Sequence, residues 1–328
     1  MTVIITNAYF LADFIFDEFR DDPDVAVVNF KERKNPFTSL LKWLRVKAGN
    51  RKGLFNSLLF SRGLRNALAS ISPADRVLFW SIENLTVSRI LAAEIPSRPI
   101  VSFLWNPMKR LRRDPRLLAD YVRTMEEEQV SLATFDRGDA RLLGCRLMPQ
   151  VHRRIPLPTP PAAPAGVFFV GLLKGREATL EKIAEELDAH SIPRRFHLLR
   201  GRHDRGGVAP VLAGSVAEGP MPYGEVLRCI GEAECLLDIA QSGQTGLTLR
   251  ALEALFYHKK LITNNPSVKD ADFYHPDNVF VVGDPTEKRS LPAFLRDTPF
   301  HPIAPDIERR HHIRPWLSSL LSGSVAPM

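Results

Sequence analysis

Arg250 and Glu253 stand three residues apart in the run Leu247-Thr248-Leu249-Arg250-Ala251-Leu252-Glu253. Its apolar residues recur at helical spacing, so one helix face carries a guanidinium beside a carboxylate. A cation there can meet a diphosphate, and a carboxylate can hold sugar or ribose hydroxyls. An ion pair along an ordinary helix would use the same two residues with no ligand. The preceding loop, Gln241-Ser242-Gly243-Gln244-Thr245-Gly246, has no bulk. It feeds a helix N-terminus, whose unpaired N–H groups and partial positive charge favour phosphate. Gly243 and Gly246 allow close backbone approach, and Thr245 and Thr248 add hydroxyls.

A second phosphate candidate follows the strand Val167-Phe168-Phe169-Val170. There Gly171, Lys174, Gly175 and Arg176 make a short cationic loop. It has neither the GxGxxG nor the Walker lysine pattern. Arg200 opens a third basic segment, 200–207, after the strand Arg195–Leu199; within it His203 either polarises a phosphate or faces solvent. Carboxylates for proton removal are sought at strand ends, where open parallel sheets bind ligands. Three apolar strands end on Glu83, on Asn106 and on Asp136. For each the alternative is a loop or helix cap, and Asp136 suits a cap for a helix starting near Asp139. Asp13, early in the first helix, is either a base or a cap.

The elements that must position these groups read as alternating strands and helices, hence α/β with parallel sheets. Val3–Thr6, Val25–Val28, Asp75–Ser81, Pro99–Trp105 and Gln129–Phe135 are the strands of a first domain over 1–155. Pro156, Pro158, Pro160, Pro161 and Pro164 then make a semi-rigid linker over 156–165. A second domain runs over 166–300, and a tail over 301–328 ends in a short helix around Trp316-Leu317, expected to pack back on the first domain. Asp22-Pro23-Asp24 precedes a strand and reads as a turn, and Arg309-Arg310-His311-His312 reads as a solvated face.

The chain of 328 residues is 45% apolar and 25% charged, with a formal charge of +7, an ordinary globular composition that favours anionic partners. Cys145, Cys229 and Cys235 lack metal or disulfide spacing and argue for a reducing compartment. No signal peptide and no apolar run of membrane-spanning length is expected. Residues 31–65 carry ten lysines and arginines, Lys42, Arg45 and Lys47 among them, against Glu32 alone. Phe37, Leu40, Leu41 and Leu44 form a helical stripe there with Trp43 at its flank. Such a helix can lie on an anionic membrane, or pack on a core with its basic face solvated. No specific nucleic-acid signature is present.

The order Tyr223…Leu236-Leu237-Asp238…Gln244-Thr245-Gly246-Leu247-Thr248…Arg250…Glu253-Ala254-Leu255…Lys259-Lys260-Leu261-Ile262-Thr263-Asn264-Asn265…Asp272-Phe273-Tyr274…Asn278-Val279 resembles a family of bacterial GT-B-type glycosyltransferase-like proteins. These accompany lipopolysaccharide and capsular polysaccharide synthesis. Phe103-Leu104-Trp105, Thr134-Phe135-Asp136 and Phe168-Phe169-Val170-Gly171 fit the same pattern.

The resemblance implies two Rossmann-like domains facing across a cleft, with a nucleotide-sugar donor on the second. Gly171–Arg176 and Gln244–Glu253 would share that donor, Glu253 meeting hydroxyls. Arg250 and Lys174 would offset charge on the departing diphosphate in place of a metal ion. The acceptor would be a glycan or a lipid-linked glycan at the inner membrane face, and the protein cytoplasmic or peripheral; the likeness is weak over residues 31–65, whose own charge and apolar spacing are what suit the anionic membrane surface. Related sequences often carry Asp where this chain has Asn106, so either the base here would be Glu83 or Asp13, or the activity would be impaired. The alternatives are a non-catalytic basic protein that binds membrane or nucleic acid, and a sugar-nucleotide epimerase of GT-B shape.

Overall fold

A computed structural model describes residues 1–7, 10–157, 166–201, 206–240 and 245–323. The chain divides into two units: Met1–Pro149 with the chain from Trp316, and Gln150–Pro315. The division falls ahead of the proline run, most of which lies outside the described residues. The physical reason is local. His152 is bridged to the 311–313 segment, its N donating to His311 O at 3.2 Å and its O accepting from Ile313 N at 3.0 Å. Ile155 N donates to the Tyr257 hydroxyl at 3.2 Å.

The first unit contains β1 (Thr2–Asn7), α1 (Phe10–Phe16), β2 (Val25–Phe30), α2 (Pro36–Lys47), α3 (Asn56–Leu59), α4 (Arg62–Ser70) and β3 (Arg76–Trp80). It continues with α5 (Leu85–Glu94), β4 (Ile100–Leu104), α6 (Pro115–Glu127), β5 (Val130–Thr134), α7 (Arg137–Leu143) and β6 (Arg146–Leu147). Its strands pair in parallel in the order β2-β1-β3-β4-β5-β6. The unbroken apolar runs Val3-Ile4-Ile5 and Val77-Leu78-Phe79-Trp80 suit strands covered on both faces, and all seven side chains are buried.

The second unit contains β7 (Val167–Leu172), α8 (Glu177–Ala189), β8 (Arg194–Leu199), α9 (Pro210–Ala213), α10 (Tyr223–Glu232) and β9 (Cys235–Asp238). After these come α11 (Leu249–Tyr257), β10 (Lys260–Thr263), β11 (Val279–Val281), α12 (Leu291–Asp297) and α13 (Pro305–His311). Its parallel order is β11-β10-β9-β7-β8. Lys259 and Lys260 follow α11 in the chain but serve other helices. Lys259 Nζ donates to Gly231 O and Ala233 O at the end of α10, and Lys260 Nζ donates to Phe294 O and Leu295 O at the end of α12.

The last helix, α14 (Ile313–Ser322), supplies the first unit with Trp316. That ring packs edge-on to Phe103 at 4.8 Å and to Trp80 at 5.5 Å, and its Nε1 donates to Pro149 O at 2.9 Å. His311, expected on a solvated face, is buried, and its Nε2 lies 2.8 Å from Asp272 Oδ1. Among the described residues no helix is long and apolar enough to cross a membrane.

The basic segment folds differently from its surface reading. Arg45 is wholly buried, not on a charged face. It is ion-paired to Glu94 and donates to Leu54 O at 3.0 Å, to Asn50 Oδ1 at 3.3 Å and to Asn56 Oδ1. Lys42 is paired with Glu32 at 2.6 Å. Leu41 alone of the expected apolar stripe is buried; Phe37, Leu40 and Leu44 face outward with Trp43.

Candidate active site

Each sheet has one place where adjacent strands lead their connections to opposite sides, and ligands of such sheets sit there, at the strands' carboxyl ends. In the second unit it lies between β7 and β9. The segments emerging there are Gly171–Arg176 and the one running from Asp238 into α11, the two that the sequence nominates for phosphate.

Thr248 caps α11, its side chain accepting from Arg250 N at 3.1 Å. Asp238, buried at the end of β9, accepts from Thr263 Oγ1 at 3.3 Å and is also hydrogen-bonded by Thr248. Burial raises its pKa, while Thr248, Arg176 and Arg250 pull it back down. Arg176 lies across the β7 turn, Nη1 donating to Leu172 O at 3.0 Å. A Cβ at Gly171 would stand 3.3 Å from that Nη1 atom, so the glycine leaves the guanidinium its place. Burial lowers the Arg176 pKa, and its buried Nε has no hydrogen-bond partner among the described residues. An unfilled donor on a buried cation is costly unless an anion meets it. Lys174 and Gly175 turn the chain with φ of +44° and +78°, and the Lys174 side chain is exposed.

Arg250 and Glu253 form an ion pair along α11. Arg250 also lies over the Phe168 ring at 5.5 Å. Glu253 is wholly buried; its Oε1 accepts from the Tyr223 hydroxyl at 2.8 Å. With that proton donated, the Tyr223 oxygen is left to accept from His152 Nε2, 3.3 Å away. Burial raises the Glu253 pKa against the pull of Arg250, and burial drives His152 down to about 3, so the imidazole is neutral. A sugar or ribose hydroxyl would reach Glu253 only by displacing Tyr223 or Arg250.

Of the remaining expected donor residues, Thr245 is exposed, and Gly246 is buried with its carbonyl held by Asn265 Nδ2 at 3.1 Å. Arg200 is exposed and donates to Gly206 O at 2.7 Å. Gln244 with its loop 241–244, and His203 with 202–205, lie outside the described residues.

In the first unit the corresponding place lies between β1 and β3, and Glu83 stands there, just past β3. Its Oε1 accepts from Ser81 Oγ at 3.2 Å, from Asn106 N at 3.2 Å and from Asn106 Nδ2 at 3.1 Å. Its Oε2 has no partner among the described residues. Ser81 turns the chain with a φ of +56°, a conformation that L residues adopt rarely. Asp13 is exposed on α1 and accepts from Asn29 Nδ2 at 2.9 Å. Asp136 is wholly buried: it caps α7 through Asp139 N at 3.0 Å and takes Arg112 Nη2 at 2.6 Å. That is the cap geometry, and it leaves this carboxylate inside the unit and away from solvent.

Sequence reasoning placed Glu83 and Asn106 at separate strand ends and did not join them. Adjacency of β3 and β4 in the sheet brings them together, a pairing that spacing along the chain does not reveal. It also missed Tyr223 and His152 as the partners of Glu253. A tyrosine opening the helix before β9 was the one available signal. Among the described residues no group of three or more His, Cys, Asp or Glu side chains is arranged to hold a metal ion.

No family model and no curated protein matches the chain. Solved structures do. The Anabaena protein Alr3699/HepE in complex with UDP and glucose is 13% identical, with a TM-score of 0.62 over 98% of this chain and 100% of that one. The same protein in complex with UDP-glucose is 12% identical, with a TM-score of 0.61 over 98% and 99%. At this identity the likeness is one of fold. With two parallel-sheet α/β units of six and five strands, the chain has a GT-B-like fold.

Proposed function

We propose that this protein is a metal-independent glycosyltransferase that moves a sugar from a nucleotide-sugar donor to a bacterial surface glycan or its lipid-linked precursor, in lipopolysaccharide or capsule synthesis. The observation that carries the reading is Arg176. It is a largely buried guanidinium with an unfilled Nε, set where β7 and β9 diverge and close to Asp238 at the approach to α11. That setting suits a diphosphate. The fold likeness to a protein crystallised with UDP and glucose agrees with it.

In this reading the α11 N-terminus, Arg176 and Lys174 stabilise the charge that develops on the leaving diphosphate. Glu253 acts indirectly, fixing Arg250. Glu83 takes the acceptor hydroxyl proton on its open Oε2 while its other oxygen is held. An amide at position 106 does not impair such a site; it supplies the clamp.

The test is a melting-temperature screen against UDP, GDP, CDP and CMP. A diphosphate at a hundredfold excess over its Kd adds about 2.7 kcal/mol of stability, which registers as a clear upward shift. Arg176→Gln should abolish the shift while leaving the unliganded melting temperature within a few degrees. No response to any of the four nucleotides would defeat the proposal.

A further inference from the structure

We infer that α2 and the turn after it are a docking surface for an anionic lipid bilayer. The helix directs Thr38, Leu41 and Arg45 inward, and Arg45 is anchored there by Glu94. Its outer face is therefore the apolar one: Phe37, Leu40, Trp43 and Leu44 are 57%, 52%, 55% and 38% exposed, and Leu58 of α3 adds 44%. Only two other large hydrophobic side chains are comparably exposed among the described residues, Met1 and Val27, so four of the seven stand on α2 and a fifth on the neighbouring α3. Contiguous exposed apolar surface of this kind marks an interaction site.

The surrounding charge selects the partner. Lys34, Lys47, Arg51, Lys52 and Arg62 are all exposed. The only carboxylate of the segment, Glu32, is shared by Lys42 at 2.6 Å and Lys34 at 3.7 Å, so Lys47, Arg51, Lys52 and Arg62 have no carboxylate of the segment to pair with. A second copy laid on this face would bring like charges together. A nucleic acid would satisfy the cations and leave Phe37, Leu40 and Trp43 in water. A bilayer with anionic headgroups meets both: the rings and leucines enter the acyl boundary, and the lysines and arginines stay at headgroup depth. Trp43, with Lys47 Nζ 6.0 Å from its ring centre, has the amphipathic character of an interfacial anchor. α2 has twelve residues, so it lies in the plane of the membrane and does not cross it. This goes beyond the proposed activity and does not depend on it, although a lipid-linked acceptor would be found at the same surface.

The experiment is flotation of the full chain with vesicles of equal parts phosphatidylglycerol and phosphatidylcholine, and with phosphatidylcholine alone, in the absence of nucleotide. Trp80, Trp105 and Trp316 are buried, which leaves Trp43 as the built-in reporter. The expected result is binding to the anionic vesicles with a blue shift of Trp43 emission. Lys47→Gln with Lys52→Gln should weaken binding on the order of tenfold or more, and Phe37→Ser with Leu40→Ser should abolish the shift. These side chains are exposed, so melting temperatures should not move. Should the apolar variant nevertheless unfold, the charge variant and the wild-type emission shift still decide. Equal binding to neutral vesicles, no shift on anionic ones, or lipid-free self-association that Phe37→Ser abolishes would each overturn the inference.

Discussion

Asn106 donates twice to one oxygen of Glu83, from its backbone nitrogen at 3.2 Å and from its side-chain amide at 3.1 Å. With Ser81 Oγ as a third donor at 3.2 Å, Oε1 is fixed and Oε2 is left for another proton. The pair thus holds a single negative charge, carried by Glu83 and oriented by an amide. Aspartate at position 106 would set a second carboxylate against the first.

Glu83→Gln should therefore lower turnover by about a hundredfold or more, the range for loss of a general base, with nucleotide binding unchanged. Asn106→Ala, which keeps the backbone donor, should lose on the order of tenfold. Asn106→Asp should lose more than Asn106→Ala, because repulsion replaces a hydrogen bond. Steady-state kcat and donor Kd for the three variants check the order. Nucleotide affinity falling in step with turnover would argue for general damage to the fold.

Arg250→Met should destabilise the second unit by about 3–5 kcal/mol, because it leaves Glu253 buried without its cation. The folded-state pKa of Glu253 is already raised. The folded variant then holds a proton that the unfolded chain releases, so the deficit should shrink as pH falls toward the carboxylate range. Adding Glu253→Gln should recover much of the loss. Urea unfolding at pH 7 and pH 5 measures both effects.

His152 gives a pH signature of the opposite sign. Its folded pKa is depressed to about 3 by burial, with Arg153, Arg250 and His312 adding repulsion. Below 6.5 the unfolded chain takes up a proton that the folded chain refuses, so stability is full above 6.5 and declines as pH drops toward 3. At pH 5 the loss amounts to about 2 kcal/mol. Asp238 and Glu253 have raised pKa values and act the other way, but they are common to both chains when the wild type is compared with His152→Asn. Stability measured at pH 7 and pH 5 should fall less in the variant.

Arg45→Ala should cost the first unit about 3–5 kcal/mol by stranding Glu94 in the interior. Lys47→Ala, two residues away and exposed, should stay within about 0.5 kcal/mol. Chemical denaturation of the two variants separates the buried arginine from its surface neighbour.

The sequence alone determined the class of fold and the positions worth watching. Apolar runs such as Val77–Trp80 and Leu236–Leu237 are too continuous for half-exposed strands, and their alternation with helical periodicity leaves a parallel α/β arrangement as the reading. Strand ends are where such sheets bind ligands, so Glu83, Asn106, Gly171 and Arg176 could be nominated from position alone. Tertiary structure decided what each group does, because side-chain partners are set by strand order and helix rotation. Pairing of β3 with β4 joined Glu83 to Asn106. The packing of α10 beside α11 put Tyr223 against Glu253 and closed that carboxylate away from solvent. A rotation of α2 that no charge count could fix sent Arg45 into the core and turned Trp43 out. Periodicity says that a helix has two faces, and only the packing of Leu41 and Arg45 chose which one the protein keeps.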